Sequence, residues 1–406
     1  MIDSPIAFLL ATEPNAANLP LAMLIVFGSA KLLAELMERL RQPGLVGEIL
    51  AGIIIGPNVL NLVRTNDLLH ALSELGVMFL LFRVGLEVKP SELMRVGGTA
   101  AIVAIGGVLV PFLFGWGILR LGGGGHVESI FVGAAMVATS VGITAQVLAG
   151  QGLLKHVASQ TILAAAVIDD VLGLLVLAAV SSMAKGQVNI AGLATTAGLA
   201  IGFTVAAATL GTRAMRKVVP KMEKKLRAGE VQFNLAMVLL FALAVLAAYV
   251  GVAAIVGAFL AGMALSETVD RRVHDLGHGV TELLVPFFLA GIGMNLDISS
   301  LANPATLTLA VIVFVAAVLA KLAGCGLGAW SLGRANMWRV GLGMVPRGEV
   351  GMVVAQIGLG LGVISQSVYA VVVFMAVMTT IVAPPFLRVA FKGEKGRDAV
   401  EGFTIG

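Results

Sequence analysis

The residues Thr161–Ser181 read TILAAAVIDDVLGLLVLAAVS and place two adjacent aspartates, Asp169 and Asp170, in the middle of an otherwise apolar run. The run is about as long as the ~20 residues that an α-helix needs to cross a bilayer. An ionised carboxylate at the centre of such a helix costs roughly 2.5–3.5 kcal/mol on insertion scales. The stretch therefore predicts a membrane-spanning helix whose two carboxylates need partners or water.

The rest of the chain has the composition of a helical membrane protein. Of its 406 residues, 58% are hydrophobic and 12% are charged, and the mean hydropathy is +1.00. A soluble domain is typically about 45–50% apolar and about 25% charged. The 50 glycines favour close helix packing rather than a β-barrel. The scattered basic residues argue against a nucleic-acid partner, and no motif predicts a cofactor.

Apolar runs long enough to span a membrane divide the chain into thirteen segments. They are 19–38, 44–62, 68–87, 96–119, 129–150, 157–184, 190–212, 231–249, 251–267, 279–296, 305–332, 339–361 and 366–390. Most Lys and Arg residues fall on alternate loops, as the positive-inside rule requires. The sequence thus predicts an all-α polytopic protein with thirteen transmembrane helices, the N-terminus outside and the C-terminus in the cytoplasm.

Two short motifs recur in the second half of the chain. The heptapeptide at Val46–Gly52 (VGEILAG) returns as Val256–Gly262 (VGAFLAG), and Gly85–Glu87 returns as Gly293–Asn295. The spacings are 210 and 208 residues. Because the second copy lies seven predicted helices later, it crosses the membrane in the opposite direction. This pattern indicates an inverted-topology repeat, which is typical of secondary transporters.

The same spacing aligns two helix-weakening segments at the centres of their predicted spans. Val137–Gly142 contains Thr139 and Ser140, and Val345–Val350 contains Pro346. Interrupted helices at corresponding positions in two halves indicate a transport site. We therefore predict two crossed interrupted helices, with two ordinary packing kinks as the alternative.

Three further charged residues lie inside predicted spans and can meet the aspartates. Lys321 is the basic candidate, and Arg347 with Glu349 adds one charge of each sign. A structural salt bridge accounts for one aspartate with Lys321 and leaves the second carboxylate for a small hard cation or a proton. No catalytic constellation is present, so we expect a protein that is not an enzyme.

Other polar positions have simpler interpretations. Lys31 and Glu35 are four residues apart, and a mutual pair accounts for both. Glu48 and Glu74 lie nearer to span ends, where we expect interfacial placement or the lining of an aqueous funnel. Cys325 is interpreted as a small packing residue.

Taken together, these motifs resemble the monovalent cation:proton antiporters of the second type, and among them the NapA-like bacterial sodium/proton antiporters. The resemblance covers nearly the whole chain. Its segments are Gln42-Pro43, Gly47-Glu48, Phe79–Glu87, Ala138–Thr144, Ala166–Gly173 and Pro346–Gly351. Arg83 departs from the apolar residue that the family pattern has before Val84.

The resemblance implies a homodimer in the bacterial inner membrane, with a core domain that moves against a dimerisation domain. Residues 19–95 and 231–300 correspond to the two parts of the dimerisation domain, and residues 96–184 and 301–391 to the two halves of the core. Residues 185–230 correspond to a linker helix with a basic cytoplasmic loop, which we interpret as a topology anchor in contact with membrane lipid. Residues 392–406 form a cytoplasmic tail.

The resemblance also implies roles for the charged residues. Asp170 would bind Na⁺, with Li⁺ as a second candidate, and Asp169 would pair with Lys321 while contributing to the ion site. Thr139 and Ser140 would lie beside the ion. Arg347 and Glu349 would balance the ends of the opposite broken helix.

The leading hypothesis is an electrogenic sodium/proton antiporter that moves two H⁺ per Na⁺. Potassium/proton exchange is the alternative within the family. A sodium-coupled organic-anion symporter is a third hypothesis, and the pairing of Asp169 with Lys321 argues against it.

Overall fold

All regular structure in the described part of the chain is helical. The computed structural model describes residues 19–40, 42–64, 66–184, 190–225 and 230–394. Its helices are α1 (Leu19–Arg39), α2 (Gly44–Ile55), α3 (Asp67–Glu87), α4 (Pro90–Leu121), α5 (His126–Ala135), α6 (Val141–Gly150), α7 (Val157–Ala184), α8 (Ile190–Ala206), α9 (Thr212–Lys225), α10 (Val231–Tyr249), α11 (Ala254–Leu265), α12 (Arg271–Met294), α13 (Pro304–Gly328), α14 (Arg334–Gly343), α15 (Glu349–Gly360) and α16 (Gln366–Ala390). A π-helical turn, Ala207–Gly211, joins α8 to α9.

Length and hydropathy make this chain a multi-pass membrane protein. Within the described ranges, nine helical segments are long and apolar enough to cross a bilayer. Four shorter apolar helices, α2, α6, α11 and the part of α15 from Val350, accompany them. The all-helical membrane fold is therefore confirmed, and the count of thirteen spans stays a prediction.

The helices pack in two sets. In the first set α1 packs on α2, α3 packs on α11 and α12, and α10 packs on α11. In the second set α4 packs on α5, α7 and α13, and α13 packs on α14 and α16. Glycines allow the closest crossings: a Cβ added at Gly106 of α4 would overlap the carbonyl oxygen of Gly324 on α13. Small residues at such crossings are the usual device of membrane helices.

Both predicted helix interruptions are present. α5 ends at Ala135 and α6 begins at Val141, while α14 ends at Gly343 and α15 begins at Glu349. The two non-helical segments touch, since the backbone N–H of Ser140 donates to the carbonyl oxygen of Pro346 at 2.8 Å. Each break leaves backbone N–H and C=O groups without partners in their own helix. Because the breaks cross, a backbone group of one can form a hydrogen bond with a backbone group of the other.

The prediction that Lys31 pairs with Glu35 is wrong. Lys31 Nζ lies 3.3 Å from Glu48 Oε1 and 3.3 Å from Glu282 Oε2, while Glu35 pairs with Arg39 at 2.7 Å. Glu48 is 5% exposed, so its carboxylate needs a cation far more than a solvated carboxylate does. The burial of Glu48 in the folded protein therefore has more influence on which residue Lys31 pairs with than the four-residue spacing in the sequence.

Candidate functional site

The two aspartates at the middle of α7 face different surroundings. Asp169 is 1% exposed and Asp170 is 9% exposed. Adjacent residues on an α-helix point about 100° apart. Asp169 accordingly faces α13, and Asp170 lines a small cavity beside the two broken helices. Asp169 thereby pairs with a protein cation, whereas Asp170 lines the cavity.

Lys321 on α13 is the partner of Asp169. Its Nζ lies 3.5 Å from Asp169 Oδ2, and the Lys321 side chain is fully buried. The second carboxylate oxygen, Oδ1, makes no hydrogen bond within the described residues. Burying two charges carries a large desolvation cost, which uses up much of their Coulomb attraction. The geometry of the surroundings therefore has to hold the pair in place.

Residues that carry oxygen atoms form one part of the lining of the cavity at Asp170, and valine and isoleucine side chains form another. Thr139, Ser140 and Gly348, all from the two non-helical segments, line it together with Asp170. Its volume is about 10 Å³, close to the roughly 10–15 Å³ that one water molecule needs. Thr139 Oγ1 is buried and makes no hydrogen bond within the described ranges. A carboxylate with hydroxyl and backbone oxygens is the donor set that a small hard cation prefers.

Arg347, which lies in the second break, also contacts the first. Its guanidinium is fully buried and donates to the carbonyl oxygens of Ala138 at 3.3 Å and Ala317 at 3.4 Å. Ala138 follows the C-terminal end of α5, where unpaired carbonyl groups carry partial negative charge. The balancing role of Arg347 stays a prediction. The side chain of Glu349 lies outside the described part of the structure.

Two threonines that the sequence analysis did not identify hold the backbone of Arg347. Thr379 Oγ1 accepts from the Arg347 N–H at 3.2 Å, and Thr380 Oγ1 donates to the Arg347 carbonyl oxygen at 2.8 Å. Both threonines are fully buried within α16. Adjacent threonines in an otherwise apolar span are the sequence signal for this support.

A larger cleft adjoins the cavity at Asp170. It has a volume of about 620 Å³, and Val77, Ile255 and Val350 line both spaces. Glu74, for which the sequence left open interfacial placement or the lining of an aqueous funnel, is among the polar residues that line the cleft. Arg83, about two and a half turns further along the same helix, is instead buried at 7% exposure.

The chain is similar to known proteins over most of its length. The family described as "Sodium/hydrogen exchanger, transmembrane" matches residues 23–393. The chain is 33% identical to the high-affinity Na⁺/H⁺ antiporter NhaS3 of Synechocystis sp., over 98% of this chain and 96% of that protein. It is 34% identical to the Na⁺/H⁺-K⁺ antiporter GerN of Bacillus cereus, over 90% of this chain and 95% of that protein.

The fold is also similar to a solved structure, that of the sodium proton antiporter MjNhaP1 from Methanocaldococcus jannaschii at pH 8. The TM-score is 0.65 at 19% identity, and the match covers 93% of this chain and 98% of the other. At this identity the likeness concerns the fold. The matched family and the relatives above 30% identity settle the classification: this chain belongs to the transmembrane sodium/hydrogen exchanger family.

Proposed function

We propose that this protein exchanges Na⁺ for H⁺ by alternating access, and that the two ions compete for the carboxylate of Asp170. The observation that carries the proposal is the cavity in which Asp170 meets Thr139 and Ser140 between two crossed helix breaks. A protonated carboxylate is a poor cation ligand, so each ion excludes the other. Na⁺/H⁺ antiport is also the activity named for the relatives at 33% and 34% identity.

The buried pair of Asp169 and Lys321 supplies the second proton in this proposal. Na⁺ at Asp170 competes with the Lys321 ammonium for the local negative charge and favours its deprotonation, whereas Na⁺ release restores the ion pair. Two protons then move against one Na⁺. The exchange is electrogenic and responds to the membrane potential at about 2.3 kcal/mol per 100 mV.

Alternating access requires one part of the protein to move against the other. We assign residues 96–184 and 301–391 to a moving core, and residues 19–95 and 231–300 to a dimerisation domain, with 185–230 as the linker. The two sets of packed helices support this division. The cleft supports it as well, because its walls come from α3 and α12 on one side and from α15 and α16 on the other.

An inverted repeat relates the two halves. The helix breaks support it, since Ala135 and Gly343 end their helices, and Val141 and Glu349 begin the next ones, at a constant spacing of 208 residues. Glycine contacts repeat in the same way. A Cβ added at Gly47 would overlap the carbonyl oxygen of Leu33, and one added at Gly257 would overlap that of Leu243.

Thirteen spans, an outer N-terminus and a cytoplasmic C-terminus complete the proposal, with the protein acting as a homodimer in the bacterial inner membrane. In this orientation the loops at Asn66 and Asn295 face outward. The cleft, which both residues line, is then the outer entrance to Asp170. Residues 395–406 of the cytoplasmic tail lie outside the described residues.

Potassium/proton exchange is the second candidate, because the name of GerN includes K⁺ beside Na⁺. Proteoliposomes that contain the purified protein and a pH-sensitive dye separate the two. We expect Na⁺, added externally to vesicles with an imposed pH gradient, to dissipate that gradient, with Li⁺ tested in parallel. A response to K⁺ without a response to Na⁺ would overturn the first choice.

A further inference from the structure

The helices α4 and α13 touch backbone to backbone at the level of the buried ion pair. A Cβ added at Gly324 would overlap the carbonyl oxygen of Gly106, and the reverse substitution gives the reverse overlap. One added at Gly328 would lie 2.8 Å from the Cα of Val103. Glycine is thus the only residue that permits this approach, which sets how closely α4 passes the side chains of α13.

Gly107 follows Gly106 and faces the ion pair itself. A Cβ added at Gly107 would lie 2.7 Å from Cys325 Sγ, 3.1 Å from Lys321 Nζ and 3.9 Å from Asp169 Oδ1. Normal packing distances between such atoms are about 3.5–4.0 Å. Because Gly107 has no side chain, the ammonium and the thiol can occupy the space beside it.

Cys325 is the other wall of this space. It lies four residues after Lys321, and side chains at that spacing share one face of a helix. Both side chains are fully buried. Within the described residues the only hydrogen bond of Lys321 Nζ is the 3.5 Å contact with Asp169. Packing against Gly107 and Cys325 therefore holds the ammonium where that single contact forms.

We propose that Gly107 and Cys325 are positioning residues, which together form a seat that fixes the Lys321 ammonium against Asp169 and so permits turnover. The inference rests on the proposed exchange at Asp170 and extends it to two residues that touch no transported ion. A larger side chain at position 107 pushes the ammonium away from its carboxylate. A smaller side chain at position 325 restores the room.

The test compares four purified variants with wild type in proteoliposomes: Gly107→Ala, Cys325→Ala, the double variant, and Gly98→Ala. Gly98 lies on the same helix with no atom within 4 Å of an added Cβ, so Gly98→Ala is the matched control. Turnover is normalised to the amount of folded protein, and the melting temperature is recorded for each variant.

We expect Gly107→Ala to lower Na⁺-driven turnover at least about tenfold and to lower the apparent KM for Na⁺ about threefold, because displacing the ammonium leaves Asp169 to attract the cation at the neighbouring site. A merely structural defect reduces the folded fraction and leaves the KM of the remainder unchanged. Gly98→Ala should stay within about twofold of wild type. Cys325→Ala loosens the seat and should lower turnover about threefold, and the double variant should recover most of the turnover and the wild-type KM.

Two results would overturn the proposal that Gly107 and Cys325 position the ammonium. One is a Gly107→Ala protein that behaves like Gly98→Ala. The other is a double variant as impaired as Gly107→Ala, since the clash with Cys325 would then be irrelevant. Failure of the proposed function itself is distinguishable, because wild type would then show no Na⁺-driven proton flux at all.

Discussion

Replacing Lys321 by alanine should destabilise the protein strongly at neutral pH. The side chain is fully buried, and its ammonium lies 3.5 Å from the equally buried carboxylate of Asp169. Removing one partner of a buried ion pair leaves an uncompensated charge, which costs about 3–5 kcal/mol.

A charge effect and a volume effect contribute to that cost. The uncompensated carboxylate of Asp169 is the charge effect. The cavity that alanine leaves is the volume effect, since truncating a large buried side chain to alanine typically costs about 2–5 kcal/mol.

Thermal unfolding in detergent at neutral pH measures the effect. Lys321→Met removes the charge with little change in volume and separates the charge effect from the cavity that alanine creates. Combining Lys321→Met with Asp169→Asn removes both charges and should restore a melting temperature near that of wild type. Equal melting temperatures for wild type and Lys321→Ala would refute the reasoning and mean that the two residues do not depend on each other.

Two further expectations concern coupling and pH. If the pair of Asp169 and Lys321 releases its proton in each cycle, the Na⁺ distribution at zero flux should follow a clamped membrane potential as well as the pH gradient; dependence on the pH gradient alone would indicate a locked pair and one-for-one exchange. Burial, with a smaller contribution from Arg339, lowers the pKa of His156 in the loop before α7. The stability that its neutral ring contributes is present above about pH 6.5, the unfolded value, and is lost as the pH falls through the lower folded value. His156→Gln should therefore lose less thermal stability than wild type between about pH 7 and pH 5.5, and identical pH profiles would contradict this.

The sequence predicted the membrane class, the helix breaks and the charged residues of the site, because charges and helix-weakening residues are costly inside a bilayer and stand out there. It did not predict which aspartate faces the cavity, a choice that came from the family resemblance alone. Ion-pair partners on distant helices were harder still to predict: Lys31 pairs with Glu48 and Glu282 rather than with Glu35. With 50 glycines in the chain, nothing in the sequence distinguishes Gly107 from the rest.

The central claim is that Na⁺ and H⁺ share the carboxylate of Asp170, and Asp170→Asn tests it most directly. The substitution keeps the shape of the side chain and removes the charge that we assign to the ion. Wild type and variant, reconstituted side by side at equal amounts of folded protein, are given a Na⁺ gradient while a dye reports the internal pH. The account predicts Na⁺-driven proton flux in wild type and none in Asp170→Asn, with similar melting temperatures. Wild-type flux in the variant would contradict it.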